Sequence, residues 1–446
     1  MKKKLFYLAS ICLMAVSCSD GLKEESLELP NQGDEARVEI RSLDEAIELA
    51  EKAANSLDKP MSRSGARRAD RQSIRVIGGA GSRSAAPDTL IYAINYEDNN
   101  GFALIAAPYI SDPILAVVDE GEYEEGTNNA NYELFLGLAN NYVSTASMTT
   151  PSIKDTVPED PRKPYIPEPQ IVVEYDTVHN YGDFHRLQQL WGQDWIEGKL
   201  CPNGLSGCTP LAMAMVISHF MPEGQVTWTY PGADIKTQNV DWIKVRQHRT
   251  TKLDIYGHRE CDVCWSNDEG HMTISRLCRE LGHRAQSVYE IGGTYTYPQY
   301  IKPTLQSFLP NYTITNLADL KFADVMKYLD YGLMVVRADG NAIDPDGNAS
   351  LYNHSWVAEG YKYVAVDEKT YSVQKYPSVI LKPTEKTLIS TRRLYTALLY
   401  FNYGFYGDKN GYYNCSVFET DNEFDVNIGY YTYHFEGVQY VAAYKK

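Results

Sequence analysis

Long apolar segments are nearly absent from this 446-residue sequence. The one apolar run near the N-terminus extends from Leu5 to Val16 and is too short to span a bilayer comfortably. No later segment is long and apolar enough to cross a membrane. We therefore expect no transmembrane helix.

Positive charge is also scarce, because 58 acidic residues outnumber 42 lysines and arginines and leave a net charge of −16. This balance argues against nucleic acid or an anionic membrane surface as the partner. Tyrosine, by contrast, is abundant: the 35 tyrosines favour a strand-rich, extracellular type of surface. The length exceeds what one hydrophobic core usually organises, so we expect two domains after any targeting segment.

The N-terminus has the pattern of a signal peptide. Three lysines precede the short apolar run, which ends in Ala15-Val16-Ser17-Cys18. A cysteine directly after a small-residue cleavage site is typical of a bacterial lipoprotein, so residues 1–17 are predicted to be removed and Cys18 to carry lipid. A plain secretory signal with an incidental cysteine is the alternative. We expect secretion across the inner membrane and a lipid anchor alone, at the outer membrane or cell surface of a bacterium.

Cysteine is sparse for a chain of this size. Of the eight cysteines, Cys12 would leave with the signal peptide and Cys18 would be lipidated. The others are Cys201, Cys208, Cys261, Cys264, Cys278 and Cys415. Six in a large mature chain do not make a disulfide scaffold, so chemistry at one cysteine is the more productive hypothesis.

Composition divides the remainder into a tether, a small unit, a linker and a large domain. The polar, acidic residues 18–35 form the tether. A helix (Leu43–Leu57), a loose loop (residues 58–87), a strand pair (Leu90–Pro108) with a turn at Asp98-Asn99-Asn100-Gly101, a strand from Ile114 and a helix from Tyr132 predict a small α+β unit over residues 36–148. Residues 149–169 are Pro-rich and should form an exposed linker. Residues 170–446 form the second domain.

The strongest chemical signal is the segment Asn203 to Phe220, in which Gly207-Cys208 precedes an apolar run of helical period. Cys208 is therefore predicted to lie at a helix N-terminus, where unpaired backbone N–H groups and the helix dipole favour a thiolate. Pro210 suits the first turn of a helix. The alternative is a small core cysteine at a helix entry.

Three other segments offer partners for a thiolate nucleophile. His354, in Tyr352-Asn353-His354-Ser355-Trp356, is predicted at a strand edge, where it could act as the base. Asn402, in a following strand, supplies an amide that could hold the imidazole in one tautomer. Gln193, in Trp191-Gly192-Gln193, could donate to a developing oxyanion.

This order of Gln, Cys, His and Asn resembles the streptopain family of papain-like cysteine peptidases. The motifs that carry the resemblance are Trp191-Gly192-Gln193, Cys201-Pro202, Gly207-Cys208, His354-Ser355-Trp356 and Asn402-Tyr403-Gly404-Phe405-Tyr406-Gly407. The resemblance covers almost the whole chain after the tether and implies an α+β papain-like catalytic domain of two subdomains. It also implies that residues 36–148 are an inhibitory prodomain, since Gly101-Phe102 and the segment after Ile114 resemble its strands.

The sequence departs from the family pattern around the expected substrate cleft, which should include Gly207, Asn353, Tyr403, Phe405 and Tyr406. Tyr403 and Phe405 replace tryptophans, while Tyr406 and Asn353 replace glycines. Either Asn402 or Tyr403 could orient the histidine. The separation of His354 from Asn402 is long, so a loop is expected between residues 363 and 399.

Two metal patterns are rejected. Cys261 and Cys264, with His271 and Cys278 nearby, give only one of the two spaced ligand pairs that a structural zinc site needs. Cys278 belongs to a helical pattern that accounts for it as core.

The segment from Asp344 to Asn348 begins like a calcium loop but continues with Ala349 and Ser355 at the positions of the glycine and the bidentate acid. A tight turn explains it. We expect no metal and no cofactor.

The sequence thus predicts a secreted, lipid-anchored cysteine endopeptidase made as a zymogen, with a peptide or protein substrate and its own prodomain as intramolecular inhibitor. One alternative keeps the fold and acts as an amidase or isopeptidase on cell-wall or conjugate bonds. The other is a non-catalytic surface binding protein.

Overall fold

The computed structural model describes residues 39–57, 66–78, 89–127, 129–148, 169–182, 187, 189–247, 269–291, 293–374, 384–419, 424–428 and 431–445. The predicted signal peptide, Cys18, the tether and the linker up to residue 168 lie outside these residues, as do Cys261 and Cys264. Residues 37–446 form one compact unit.

The helices differ in length, with long ones near both the start and the middle of the chain. They are α1 (Leu43–Leu57), α2 (Ala130–Met148), α3 (Trp195–Gly198), α4 (Cys208–Phe220), α5 (Trp242–Gln247), α6 (Glu269–Arg284), α7 (Ile301–Phe308) and α8 (Phe322–Leu329). None of the helices in the described residues has the length and hydropathy needed to span a membrane.

The strands are mostly antiparallel neighbours in one large sheet. They are β1 (Arg75–Ile77), β2 (Ile91–Asn95), β3 (Phe102–Ala106), β4 (Ile114–Val118), β5 (Gln170–Tyr181), β6 (Gln225–Thr227), β7 (Thr237–Asn239), β8 (Val288–Glu290), β9 (Gly293–Tyr295), β10 (Thr313–Ile314), β11 (Ala318–Asp319), β12 (Gly332–Ile343), β13 (Ala349–Gln374), β14 (Glu385–Asn402), β15 (Gly411–Asn414), β16 (Phe424–Ile428) and β17 (Tyr431–Tyr444). The order across the sheet is β1-β2-β3-β4-β15-β14-β13-β12-β17-β10, with β5 on β13 and with β11 and β16 on β17. The mixed α+β class is thereby confirmed.

Helix α1 forms where the sequence predicts it because its start is capped and one stripe is apolar. The Ser42 backbone N–H donates to Glu45 Oε2 at 2.7 Å, and the Glu45 N–H donates to Ser42 Oγ at 3.3 Å. This reciprocal pair is a capping box. The buried residues recur at helical spacing: Ala46, Ile47, Leu49, Ala50, Ala53, Ala54 and Leu57.

The sheet has helices on both faces, and alternation along β13 separates two hydrophobic clusters. Val357 packs with α4, α6 and α7, on what we call the α4 face. Trp356 and Ala358 pack with α2 and α8, on the α2 face. Because successive side chains of a strand point to opposite faces, the odd-numbered residues of this stretch lie on the α4 face and the even-numbered ones on the α2 face.

The prediction of a loop between residues 363 and 399 is wrong. This connection consists largely of regular strand, because β13 continues to Gln374 and β14 begins at Glu385. Strand β5 pairs with β13 from Tyr363 to Val373 and supplies a third strand. The stretch predicted as a flexible loop after α1 likewise contains β1.

The turn at Asp344 has the structure that the sequence predicts. Its carboxylate accepts hydrogen bonds from the backbone N–H groups of Asp346 at 3.0 Å and Asn348 at 2.8 Å. The side-chain amide of Asn348 adds a third bond at 2.9 Å. The Asp344 carboxylate therefore accepts hydrogen bonds from groups of the same turn.

Candidate active site

Cys208 is the first residue of α4, as predicted. The preceding residue, Gly207, has φ 83° and ψ 150°, and the Leu211 N–H donates to its carbonyl at 3.1 Å. A Cβ at Gly207 would lie 2.8 Å from Thr294 Cβ, so the site requires glycine for space as well as for its positive φ. A buried thiol at this helix end lies where the dipole favours negative charge.

The side chain that contacts the thiol is Asn353. Its Nδ2 donates to Cys208 Sγ at 3.4 Å, and Sγ donates to the Asn353 backbone oxygen at 3.7 Å. Burial raises the pKa of the Cys208 thiol, and the positive charge of Arg337 acts in the opposite direction. Asn353 and Gly207, both predicted as cleft residues, therefore adjoin the sulfur.

His354 lies on the other face of the sheet from Cys208. Its Nε2 contacts the Tyr352 hydroxyl, and the two rings are edge to face with centroids 4.4 Å apart. Its Nδ1 is buried without a hydrogen-bond partner. Burial first, and the charge of Arg337 second, lower the pKa of His354 from 6.5 to about 3, so the imidazole is neutral at pH 7. None of the described contacts of His354 reaches Cys208.

Neither residue predicted to orient His354 contacts it among the described interactions. Asn402 Nδ2 donates to the Gln189 carbonyl at 2.8 Å, and the Gly404 N–H donates to Asn402 Oδ1 at 3.1 Å. Asn402 therefore joins its own strand end to the segment that precedes Gln193.

Tyr403 is fully buried on the α2 face, where its ring lies 5.8 Å from that of Trp356 and 5.1 Å from that of Tyr413. Phe405 also packs against this cluster. Both were predicted as cleft residues, and the structure places Tyr403 in the core and Phe405, partly buried, against it, on the opposite face from Cys208.

Gln193 lies in a loop that is fixed directly against the turn before Cys208. Its carbonyl accepts hydrogen bonds from the Ser206 N–H at 2.7 Å and from Ser206 Oγ at 3.0 Å. The side chain is partly exposed. The loop that carries the predicted oxyanion donor is therefore joined to the turn before Cys208 through Ser206.

Tyr406, predicted as a cleft residue, covers this loop. Its N–H donates to the Trp191 carbonyl at 3.0 Å, and its hydroxyl donates to the Asp194 carbonyl at 3.2 Å. A Cβ at Gly192 would lie 2.0 Å from the Tyr406 ring, so the ring rests directly on that glycine. Tyr406 itself has a φ of 58°.

Sequence reasoning missed Arg337, which is fully buried on β12 close to Cys208. It forms an ion pair with Asp339, and its Nη1 donates to Thr209 Oγ1 at 3.1 Å. The available signal was a single arginine inside the apolar run Leu333-Met334-Val335-Val336 and Ala338. A charge in such a run is rarely buried unless it has a partner.

The small N-terminal unit contacts the segment that follows Asn402. Asn131 Nδ2, at the start of α2, donates to the buried carbonyl of Tyr403 at 3.0 Å, and Asn129 Nδ2 donates to the carbonyl of Asp408 at 3.0 Å. Strand β4 pairs with β15 through Val118 and Gly411. The N-terminal unit thus extends the large sheet itself.

In the described residues, no group of three or more histidine, cysteine or acidic side chains is placed to hold a metal ion. Cys278, part of the rejected zinc pattern, is buried in α6, as the sequence predicts.

Comparison with known proteins gives one family match and several structural neighbours. No curated protein matches the chain. A fragment of Prevotella intermedia prointerpain A that carries a cysteine-to-alanine mutation has 14% sequence identity and a TM-score of 0.45, with 84% of this chain and 100% of that chain covered. Active wild-type interpain A cysteine protease from the same organism has 16% identity and a TM-score of 0.35, with coverages of 58% and 94%. Residues 37–143, which lie within the segment predicted to be an inhibitory unit, match the family model of the Spi protease inhibitor.

Proposed function

We propose that this protein is a cysteine endopeptidase zymogen whose nucleophile is Cys208. The observation that carries the proposal is the position of Cys208 at the first residue of α4, directly after a left-handed Gly207. The protease-inhibitor match over residues 37–143 supports a precursor that restrains its own activity. The Gln193 loop, bound to Ser206, lies next to the same turn.

The proposed reaction is acyl transfer to the Cys208 sulfur. The thiolate attacks the peptide carbonyl, and the Gln193 amide with the Cys208 backbone N–H stabilises the oxyanion. His354 takes the thiol proton as the thiolate forms and gives it to the leaving amine. Water then hydrolyses the thioester and restores the thiol. The reaction needs no metal and no cofactor.

This mechanism requires a different arrangement of the first part of β13. His354 lies on the α2 face, whereas Cys208 lies on the α4 face. A strand brings a side chain to its other face when its register slips by one residue. We therefore propose that the described conformation is that of the precursor, and that activation moves residues 349–354 so that His354 replaces Asn353 beside the sulfur.

The contacts of the N-terminal unit support restraint through the α2 face. Its buried hydrogen bond reaches the Tyr403 carbonyl, and its strand β4 binds β15. Tyr403 packs on Trp356, two residues after His354 on the same face. The proposed inhibition therefore acts on the strand that carries the base, from the side opposite the nucleophile.

We propose that cutting the linker at residues 149–169 relieves this restraint. The linker contains Lys154, Arg162 and Lys163 among its prolines, which suits cleavage by a trypsin-like activity. Lipid on Cys18 would hold the precursor at a bacterial membrane surface. The catalytic part would leave that surface only when it dissociates from the N-terminal unit.

The position of His354 favours a second candidate, a surface binding protein without activity. In that case Asn353 beside Cys208 is the permanent arrangement. An amidase or isopeptidase on cell-wall or conjugate bonds would use the same mechanism, and the crowding of the site by Tyr406 over Gly192 slightly favours this alternative.

The deciding experiment is labelling and turnover with the linker-cleaved chain. An epoxide probe should modify Cys208, and the chain should hydrolyse members of a peptide panel more readily than muropeptides. Cys208→Ala should abolish both labelling and turnover. Cys415→Ala, a matched change at another buried cysteine, should preserve both. Labelling elsewhere, or no turnover of any substrate by the cleaved chain after dilution has separated its two pieces, would favour the binding protein.

A further inference from the structure

Arg337 has an unusual setting for a charged residue. Its side chain is 0% exposed, on the α4 face of β12. The Asp339 carboxylate binds its Nε and Nη2 in a bidentate ion pair. The third nitrogen, Nη1, donates to Thr209 Oγ1 at 3.1 Å, in the residue directly after Cys208. Burying a cation is costly even when it is paired, so a role near the sulfur would account for the arrangement.

Hydrogen bonds connect this guanidinium to the thiol. Thr209 Oγ1 lies 2.8 Å from Ser355 Oγ and 3.5 Å from Asn353 Nδ2. The same Asn353 Nδ2 donates to Cys208 Sγ at 3.4 Å. Two strands and the first turn of α4 therefore meet in one polar cluster, formed by Arg337, Thr209, Ser355 and Asn353.

We propose that Arg337 is a positioning residue that stabilises Cys208 as a thiolate, through its charge and through this cluster. The inference rests on the proposed role of Cys208 as nucleophile. In this conformation the imidazole is neutral and lies across the sheet, so the cation beside the sulfur is Arg337 and not His354. The precursor thus keeps a positive charge near the sulfur before its base is in place.

Other titratable groups lie around the cluster, on both faces of the sheet, and modulate the field at the sulfur. Asp339 on β12 opposes the charge of Arg337. Tyr295 on β9 lies under the guanidinium, with its ring centroid 5.7 Å from Cζ. Tyr352 on β13 has its pKa raised, first by burial. His354 on β13 carries no charge at neutral pH. Arg337 is therefore the positive group, and Asp339 the negative group, whose removal should change the thiol in opposite directions.

The test measures alkylation of Cys208 by iodoacetamide in the uncleaved chain between pH 5 and 10, with the Cys208 peptide followed by mass spectrometry. A carbon–sulfur bond forms and iodide leaves, so the rate reports the thiolate fraction. Arg337→Gln should move the inflection of the curve of alkylation rate against pH to higher pH. It should also slow the alkylation at pH 7 by on the order of tenfold. Asp339→Asn should move the inflection to lower pH and speed the reaction.

Opposite shifts separate charge from structure, because a purely structural role would slow or disorder both variants alike. The proposal is overturned if the inflection of the rate–pH curve for Arg337→Gln stays at the same pH or moves to lower pH. It is also overturned if the inflection for Asp339→Asn does not move to lower pH. If Arg337→Gln does not fold, Asp339→Asn decides alone.

The result is independent of peptide hydrolysis. Opposite shifts in a chain that never hydrolyses peptides would sustain the Arg337 proposal while the proposed function fails. Peptide hydrolysis without such shifts would sustain the proposed function and overturn the Arg337 proposal.

Discussion

At the scale of single residues, neighbours on β13 have opposite surroundings. Asn353 lies against the Cys208 sulfur, whereas His354 contacts the Tyr352 hydroxyl across the sheet. The neutral imidazole packs on the Tyr352 ring, and Tyr352 in turn packs on Tyr433 with centroids 4.1 Å apart and on Phe435 at 5.8 Å. The described conformation therefore holds the proposed base in a site that disfavours a proton.

This site makes a prediction about acid stability. The pKa of His354 is about 3 in the folded chain and near 6.5 when unfolded. Below pH 6.5 the unfolded state binds a proton that the folded state does not, so the stability contributed by the neutral imidazole is present above pH 6.5 and is lost as pH falls towards 3.

His354→Gln should therefore show a smaller fall in Tm between pH 7.5 and pH 4.5 than the unchanged chain, as measured by calorimetry. His283→Gln is the matched control, because that side chain is exposed near the end of α6, and it should leave the fall unchanged. An equal fall for His354→Gln would show that the imidazole is already exposed to solvent.

At the scale of secondary-structure elements, α2 joins the two parts of the chain. Phe135 packs edge to face on Tyr413 at 4.7 Å and tilted on Phe418 at 5.6 Å. The first turn of α2 adds the buried hydrogen bond from Asn131 to the Tyr403 carbonyl. Packing supplies most of the contact, while this hydrogen bond sets the position of the helix over the 403–409 segment.

Removal of that hydrogen bond should weaken the hold of the N-terminal unit. Asn131→Ala leaves the Tyr403 carbonyl buried without its donor, at a cost of about 1–3 kcal/mol. In the linker-cleaved chain, we expect the two pieces to dissociate about 5 to 150 times more readily, as measured by analytical ultracentrifugation.

Asn141→Ala, an exposed change on the same helix, is the control and should have little effect. Equal dissociation of both variants would mean that Asn131 does not set the position of α2.

At the scale of the whole molecule, one sheet runs from the N-terminal unit into the larger part. The junction is the β4–β15 ladder, from Gly411 opposite Val118 to Tyr413 opposite Ala116. Residues of both parts share the cluster on the α2 face, among them Phe135 and Trp356. Cutting the linker therefore removes the covalent tether but leaves a continuous sheet and a shared core.

The activity of the cleaved chain should consequently depend on its concentration. A tether supplies a high effective concentration, and after cleavage the pieces separate only on dilution below their dissociation constant. Turnover per mole should rise as the cleaved chain is diluted, as followed with a fluorogenic peptide. The uncleaved chain should show no such rise. A specific activity that is constant over a thousandfold dilution would exclude inhibition by the bound N-terminal unit.

The sequence by itself determined the local features around Cys208 and α1. Gly207 before an apolar helical run is enough to begin α4 at Cys208, and Ser42 with Glu45 is enough to begin α1. These features depend on neighbours within a turn of helix, so their physical cause is visible in a few consecutive residues.

Only the tertiary structure decided which groups meet at the sulfur. Directly after His354 the strand is buried on both faces, so no alternation of polar and apolar residues indicates which face the imidazole takes. The approach of Arg337 to Thr209 and the pairing of β4 with β15 join residues far apart in sequence. Such contacts follow from register and packing of the whole sheet, and the sequence read in short windows does not contain them.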